Sequence, residues 1–445
     1  MPWACSPGRR GRSHRNSHAL NTPRLTEHFF RREYGRLVAM LSRRVGMCHL
    51  ETIEDAVQSA LLAALESWTA GGAPENPSAW LFRVAHNNAV EELRRRVRRD
   101  RLLQQWDREG ADRTEDVETK FLTEELQDDL LGMLFFCCDS SIPIESQLVI
   151  ALKTLCGFDV YEIAERLFTT EMNVYKRLGR ARDRLRQLPF EPYQLTPERF
   201  SSCLPAVQSV LYLIFTEGYL SHAEPAIRRE LCDEAKQLTL LLSEHPAGRT
   251  PETFALLALM HLHAARLSAR QDGSGGLLLL EEQDRAHWDQ RQVQIGLAWL
   301  ARSAQGDVFS RYHAEAGIAA EHCIAPTFAE TRWDRIVECY ALLERLAPSA
   351  LHRLNRAVAI AQWRGPTEGL ALLEGFEPPT WLAGSYMWAA VLADLYRRSG
   401  RDELAQRYRD AAIGSAPSAA VRDMLKRRLL NRGAGDLRVL SERSG

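Results

Sequence analysis

Apolar residues recur along most of this chain at spacings of three and four, the signature of helices with one buried face. The clearest case is Ile53, Ala56, Val57, Ala60, Leu61, Ala64, Leu65 and Trp68, which predicts a helix over 53–68. Thr52 and Asp55 have the spacing of a capping box at its start. An earlier helix over about 25–45 is marked by Phe30, Tyr34, Leu37, Leu41 and Val45. Gly71-Gly72-Ala73-Pro74 interrupts the pattern. Asn76-Pro77-Ser78 then opens a third helix reaching about 103, because proline suits a first helical turn. Its expected core face is Trp80, Leu81, Val84, Leu93 and Val97, and it ends in the arginine-rich run 94–101. No alternating strand pattern stands out, so an all-α fold is expected.

Residues 130–188 read as a compact helical unit closed by Pro189 and Pro192, and a long helical region runs from 196 to 445. Within it, Gly365 and Gly400 each separate a longer helix carrying Trp or Tyr with arginine from a shorter one. Leu351–Leu373 and Ala389–Ala412 thus read as two helical hairpins with a period near that of tetratricopeptide repeats, or as parts of a plain helical bundle.

Charge changes this picture more than composition does. Apolar residues make up 45% of the 445 and charged ones 26%, ordinary values for a globular protein, with a net charge of −1. Residues 1–189 hold 28 Lys/Arg and 27 Asp/Glu, but ten of those acids lie in 107–129 with only three bases. Two basic lobes joined by an acidic connector suit a protein that holds nucleic acid at two places. Residues 190–445 hold 29 bases and 31 acids, which gives no polyanion-binding signature. Arg9, Arg10, Arg12, Arg15 and Arg24 make the first two dozen residues basic, and 1–23 is read as a disordered tail or as an over-long start. A basic arm on DNA phosphates is the alternative. It is not a secretory signal. No apolar run is long enough for a membrane span. The nine cysteines show no C-x-x-C pair and no zinc spacing, which implies reduced thiols, no bound metal and a cytoplasmic location.

The segment 159–184 carries the sharpest chemistry. Asp159 to Leu167, followed by Phe168-Thr169-Thr170, reads as a first helix and turn, with small Ala164 at the crossing. The next helix places Val174, Leu178, Ala181 and Leu185 on one face and Asn173, Lys176, Arg177, Arg180 and Arg184 on the other. Such a helix fits the major groove, where Asn and Arg read base edges and further arginines hold phosphates. The simpler alternative is a solvated basic helix. Gln283-Asp284-Arg285 with Trp288 forms a candidate contact site in the extension, or a brace for helix packing. His261 and His263 point to different faces, against a shared metal. No phosphate-binding loop, nucleophile elbow or H-E-x-x-H occurs, so no cofactor and no enzymatic activity are expected.

Glu54 to Leu62, followed by Asn76 to Asn87, resembles region 2 of RNA polymerase sigma factors. Residues 144–186, with Tyr161-Glu162-Ile163-Ala164 and Arg177 to Arg182, resemble their region 4. Region 3 is missing, as in the extracytoplasmic-function group. Leu211 to Tyr219, Glu282 to Asp289 and Leu354 to Ala359 are similar to signatures of the subgroup with a C-terminal tetratricopeptide-like extension. Ser59 stands where region 2 usually carries an acid, and Thr216 where the subgroup has Asn.

The resemblance implies a sigma factor directing transcription initiation. Its domains would be region 2 over 24–104, an acidic linker over 105–129, region 4 over 130–189 and the extension over 196–445. Asp55, Gln58 and Leu62 would meet the β′ clamp helices of core RNA polymerase. Asn76, Trp80, Asn87 and Asn88 would hold flipped bases of the minus-ten strand, with Arg94, Arg95, Arg98 and Arg99 on the adjoining phosphates. Thr170, Asn173, Lys176, Arg177 and Arg180 would read the minus-thirty-five element of promoter DNA. The acidic linker would thread the polymerase's nucleic-acid channels, or serve as a plain tether. A DNA-binding regulator whose C-terminal domain is a ligand sensor or enzyme is the alternative. The sequence leaves any anti-sigma partner open.

Overall fold

The computed structural model describes residues 22–103, 123–187, 197–220 and 227–430, apart from 168, 274 and 418. Most of the basic tail, the linker over 105–122, Phe168, Pro189 and Pro192 lie outside the described residues. Within them the protein is all-helical and no strand is formed; one isolated bridge pairs Gln271 with Leu277.

The first seven helices are α1 (Thr22–Val45), α2 (Leu50–Gly71), α3 (Pro77–Leu103), α4 (Thr123–Cys137), α5 (Ile144–Cys156), α6 (Val160–Arg166) and α7 (Glu171–Gln187). The stripe Phe30, Tyr34, Leu37 and Leu41 buries α1 against α2, α4 and α5. Gly72 at φ 80° ends α2 with its N–H on the Trp68 carbonyl. Asn76 then opens α3, its Oδ1 accepting from Ala79 N at 3.1 Å ahead of Pro77 in the first turn.

Three local expectations fail. Helix α2 starts at Leu50, two residues before the proposed cap; Thr52 is buried within it and caps nothing, because the short 3₁₀ turn Met47–His49 feeds the helix directly. Val97 is 48% exposed, since α3 has run past its neighbours by that point and the buried positions are Leu81, Phe82, Ala85 and Ala89. The acidic linker is also shorter than its charge suggests. Its last residues, 123–129, form the first turns of α4, where acids favour a helix N-terminus.

Helix α6 is opened by a reciprocal pair: Asp159 Oδ1 accepts from Glu162 N at 2.7 Å, and Glu162 Oε2 accepts from Asp159 N at 2.9 Å. Thr170 opens α7 by accepting from Asn173 N at 3.3 Å. Val174, Leu178, Ala181 and Leu185 are all buried, as their spacing requires.

The C-terminal part continues with α8 (Pro197–Tyr219), α9 (Arg229–Glu244), α10 (Pro251–Ala264), α11 (Gln290–Ser303), α12 (Arg311–Ile324) and α13 (Trp333–Leu346). Next come α14 (Ala350–Trp363), α15 (Pro366–Leu373), the single turn α16 (Thr380–Ala383), α17 (Tyr386–Arg398), α18 (Asp402–Gly414) and α19 (Ala419–Leu430). The pairs α14/α15 and α17/α18 are the two expected hairpins. Gly365 and Gly400 sit at the reversals with φ of 102° and 73°, a conformation that favours glycine.

One core cluster runs from α1 through α8 to α12, so the N-terminal helices and the start of the extension share a hydrophobic interior. Helices α1 and α5 cross closely. A Cβ on Gly35 would lie 1.9 Å from the carbonyl oxygen of Leu155, so only glycine permits this crossing.

Candidate functional site

Helix α2 has two working faces. The outer one exposes Asp55, Gln58, Ser59 and Leu62, the last at 61%, with Leu65 further along the same side. The spacing places Leu65 in the core, but it is 42% exposed: seven residues on from Gln58 it falls on the outer side, while Ala64 and Trp68 beside it stay packed.

The inner face of α2 holds a carboxylate. Glu54 is 4% exposed at its side chain and accepts from Thr154 Oγ1 of α5 at 2.9 Å and from Arg182 of α7 at 2.5 Å. The second Arg182 nitrogen reaches Glu51 at 3.3 Å, and Arg186 pairs with Glu51 at 2.7 Å. A buried acid held by one hydroxyl and one guanidinium clasps α2 to α5 and α7. Tyr34 packs below it, and burial followed by the Glu54 charge pushes its phenol far up, so it stays neutral.

Along α3, Trp80 is half-buried and meets Trp68 edge-on at 5.5 Å, while Trp68 stacks on Phe30 at 5.7 Å. The chain thus supports a row of aromatics below the loop that carries Asn76. Asn76 and Asn87 are exposed and Asn88 is partly so. Arg94, Arg95 and Arg98 are exposed on the projecting end of α3. Arg95 pairs with Glu91 at 2.5 Å, so a phosphate must displace that carboxylate to reach it. The side chain of Arg99 lies outside the described residues.

On α7, Thr170, Asn173, Lys176 and Arg180 are exposed and Arg177 is half-buried, opposite the apolar stripe. Asn173 Nδ2 donates to Thr169 Oγ1 at 3.3 Å, which orients its amide. Sequence reading missed Met172 and Tyr175, 64% and 59% exposed on this same surface. Both fall off the 174-178-181-185 stripe, so the helical spacing itself could have found them.

Asp284, Arg285 and Trp288 are brought together, but differently from one another. Asp284 caps a short turn, accepting from Ala286 N at 2.9 Å, and stays at the surface beside His287. Arg285 donates to the carbonyls of His322 and Ala325. Trp288 is buried, with the Arg285 and Arg266 guanidinium groups 4.7 and 5.3 Å from its ring. Arg285 acts as a brace between the 285–288 turn and the end of α12.

Among the described residues no group of three or more His, Cys, Asp or Glu side chains could hold a metal ion, and no helix is long and apolar enough to cross a membrane.

A profile of sigma-70 region 2 matches residues 29–99, the span of α1 to α3 with the aromatic row and both faces of α2. That segment is a sigma-70 region 2 domain, the module of sigma factors that implies interaction with core RNA polymerase and promoter DNA. The chain belongs to the same family as Uncharacterized protein R00370 of Rhizobium meliloti (strain 1021), to which it is 33% identical over 383 residues, covering 84% of this chain and 88% of the relative. Residues 203–304 match a family of unknown function, DUF6596, which spans α8 to α11. No solved structure matches the chain.

Proposed function

We propose that this is a sigma factor of the extracytoplasmic-function type, acting in the cytoplasm, whose helical extension regulates it. The region 2 match carries the reading, because it falls on the helices that present an exposed Asp55–Gln58–Leu62 face and an arginine-rich end. The outer face of α2 would dock on the β′ clamp helices. The loop at Asn76 with Asn87 and Asn88 would take flipped minus-ten bases over the aromatic row, and Arg94, Arg95 and Arg98 would hold phosphates.

Helices α6 and α7 would form region 4, a helix-turn-helix reading the minus-thirty-five element. The support is an exposed polar face of Thr170, Asn173, Lys176, Arg177 and Arg180 on a helix anchored by a fully apolar stripe. The residues from 197 onward would be the tetratricopeptide-like extension. The extension is tied to these helices by Arg228, at the start of α9, which pairs with Glu162 of α6 at 3.0 Å with both side chains largely buried.

The test is run-off transcription with core polymerase over a promoter library. Wild-type protein should select a defined promoter set. Asp55→Ala with Gln58→Ala should lower core affinity in a pull-down titration while the helix content is kept. Unchanged affinity in that variant, or the absence of any promoter-dependent transcript, refutes the reading.

A further inference from the structure

The extension holds a cleft of about 220 Å³ that the transcription reading does not use. Helices α12, α13 and α14 form its walls, the segment 279–281 overhangs it, and Arg428 of α19 stands at one side. Trp333, Ile336 and Tyr340 of α13 face Asn355, Val358 and Gln362 of α14 across it. Each trio follows helical spacing, so the lining is a regular product of the sequence.

Its walls are aromatic. Trp333 lies edge-on to both His322 and Phe328, at 5.3 and 5.2 Å between ring centres, and Tyr340 closes the same side. Such walls favour a flat ring, which can stack or meet them edge-on. A cavity of roughly 150 Å³ is enough for benzene, so this cleft holds one ring and a small substituent.

Two polar features are unspent. The Nδ1 of His322 is buried without a hydrogen-bond partner. Burial and then the charges of Arg266 and Arg285 push that imidazole down to about 3, so it stands neutral, able to serve a ligand hydroxyl or carbonyl. Arg428 is the second. Its nearest carboxylate, Asp394, lies at 3.9 Å and is already shared with Arg397 at 3.1 Å and Arg398 at 3.5 Å. One acid among three guanidinium groups leaves positive charge at the cleft. Glu281 also lines it, but from an exposed position where water screens it.

We propose that this cleft binds a small single-ring aromatic carboxylate, with the ring between Phe328, Trp333 and Tyr340, the carboxylate at Arg428 and a ring substituent at His322. The proposal stands independently of the promoter assignment.

Isothermal titration of the full-length protein with 4-hydroxybenzoate, benzoate and phenol tests it. The expected order is 4-hydroxybenzoate tightest, at one molecule per chain, with phenol at least tenfold weaker for lack of the carboxylate. Arg428→Gln should weaken 4-hydroxybenzoate about tenfold and leave phenol unchanged. Val358→Phe, which fills the cleft from a half-buried position, should abolish binding of all three. Circular dichroism establishes that both variants keep the wild-type helix content. No heat from any of the three at millimolar concentration overturns the proposal. So does binding that both folded variants leave intact.

Discussion

Arg182→Met isolates the clasp between α2 and α7. In the wild type the Glu54 carboxylate, 4% exposed, has the Arg182 guanidinium at 2.5 Å and the Thr154 hydroxyl at 2.9 Å. Methionine keeps the apolar stem of Arg182 but leaves Glu54 buried with one neutral donor. Breaking a fully buried pair costs about 3–5 kcal/mol, because the remaining charge is uncompensated. Arg182 is 22% exposed, so water reaches the vacated side and the expected cost is at the lower end, about 3 kcal/mol. Arg186→Met is the control: its pair with Glu51 has both side chains near half exposure, worth about 1 kcal/mol or less. Urea unfolding followed by circular dichroism reads the difference. With a slope of about 3 kcal/mol per molar, Arg182→Met moves the midpoint down by about 1 M and Arg186→Met by a third of that or less. Adding Glu54→Gln to Arg182→Met should recover much of the loss, since an amide is cheaper to bury than a lone carboxylate. Equal losses from Arg182→Met and Arg186→Met, or no recovery in the double variant, would refute the clasp as a buried, coupled pair.

Gly35→Ala should cost 3 kcal/mol or more in the same assay, because its methyl meets the Leu155 carbonyl of the crossing helix, whereas Gly179→Ala, with open space around it, should stabilise α7 by up to about 1 kcal/mol. His263 and His322 are each pushed down to about 3 by burial and neighbouring arginines. Below about pH 6.5 the unfolded chain takes up protons that the folded one refuses, so stability should fall with pH between about 6.5 and 3, by up to about 1.4 kcal/mol per unit for each histidine; the melting temperature should fall less from pH 7 to 5 in the His263→Gln, His322→Gln variant than in wild type, and equal slopes would contradict this. Iodoacetamide on native protein should label exposed Cys48 and spare Cys137 and Cys138, whose thiols burial drives far up; mass-spectrometric labelling of the Cys137-Cys138 peptide at the Cys48 rate would contradict this.

The N-terminal helices were legible because each is a strong amphipathic period with punctuation at its ends: Gly72 and Pro77 mark real boundaries, and the 174-178-181-185 stripe is buried as read. The errors have separate physical sources. Leu65 lies on the Gln58 side of α2, off the covered face, whereas α3 runs past the elements that cover it, so Val97 keeps the period but loses the neighbour. The acids before Leu130 looked like linker because charge was weighed above helix propensity, though Glu and Asp are welcome in a first turn. The clasp was out of reach. Glu54 and Arg182 stand 128 positions apart, and nothing local to either announces the other. The cleft was equally hidden, since Trp333, Tyr340 and Asn355 read as ordinary packing until α13 and α14 are set face to face.

The glycine crossing of α1 over α5 bears on how such a protein can be inherited. With the Leu155 carbonyl seated where a Cβ would be, the two helices meet backbone to backbone and share one interior with α8 to α12. A gene fragment spanning α5 to α7, with the proposed reading surface, therefore cannot be exchanged between homologues as a free cassette. It would arrive with an α5 shaped for another α1, and the recipient would lose its fit before any change of target was tested. The proposed reading residues Asn173, Lys176 and Arg180 lie on the solvent side of α7, so point substitutions there disturb nothing in the shared interior. Lineages of this protein should thus vary at these exposed α7 positions while keeping Gly35 and the helices it joins as a single hereditary block.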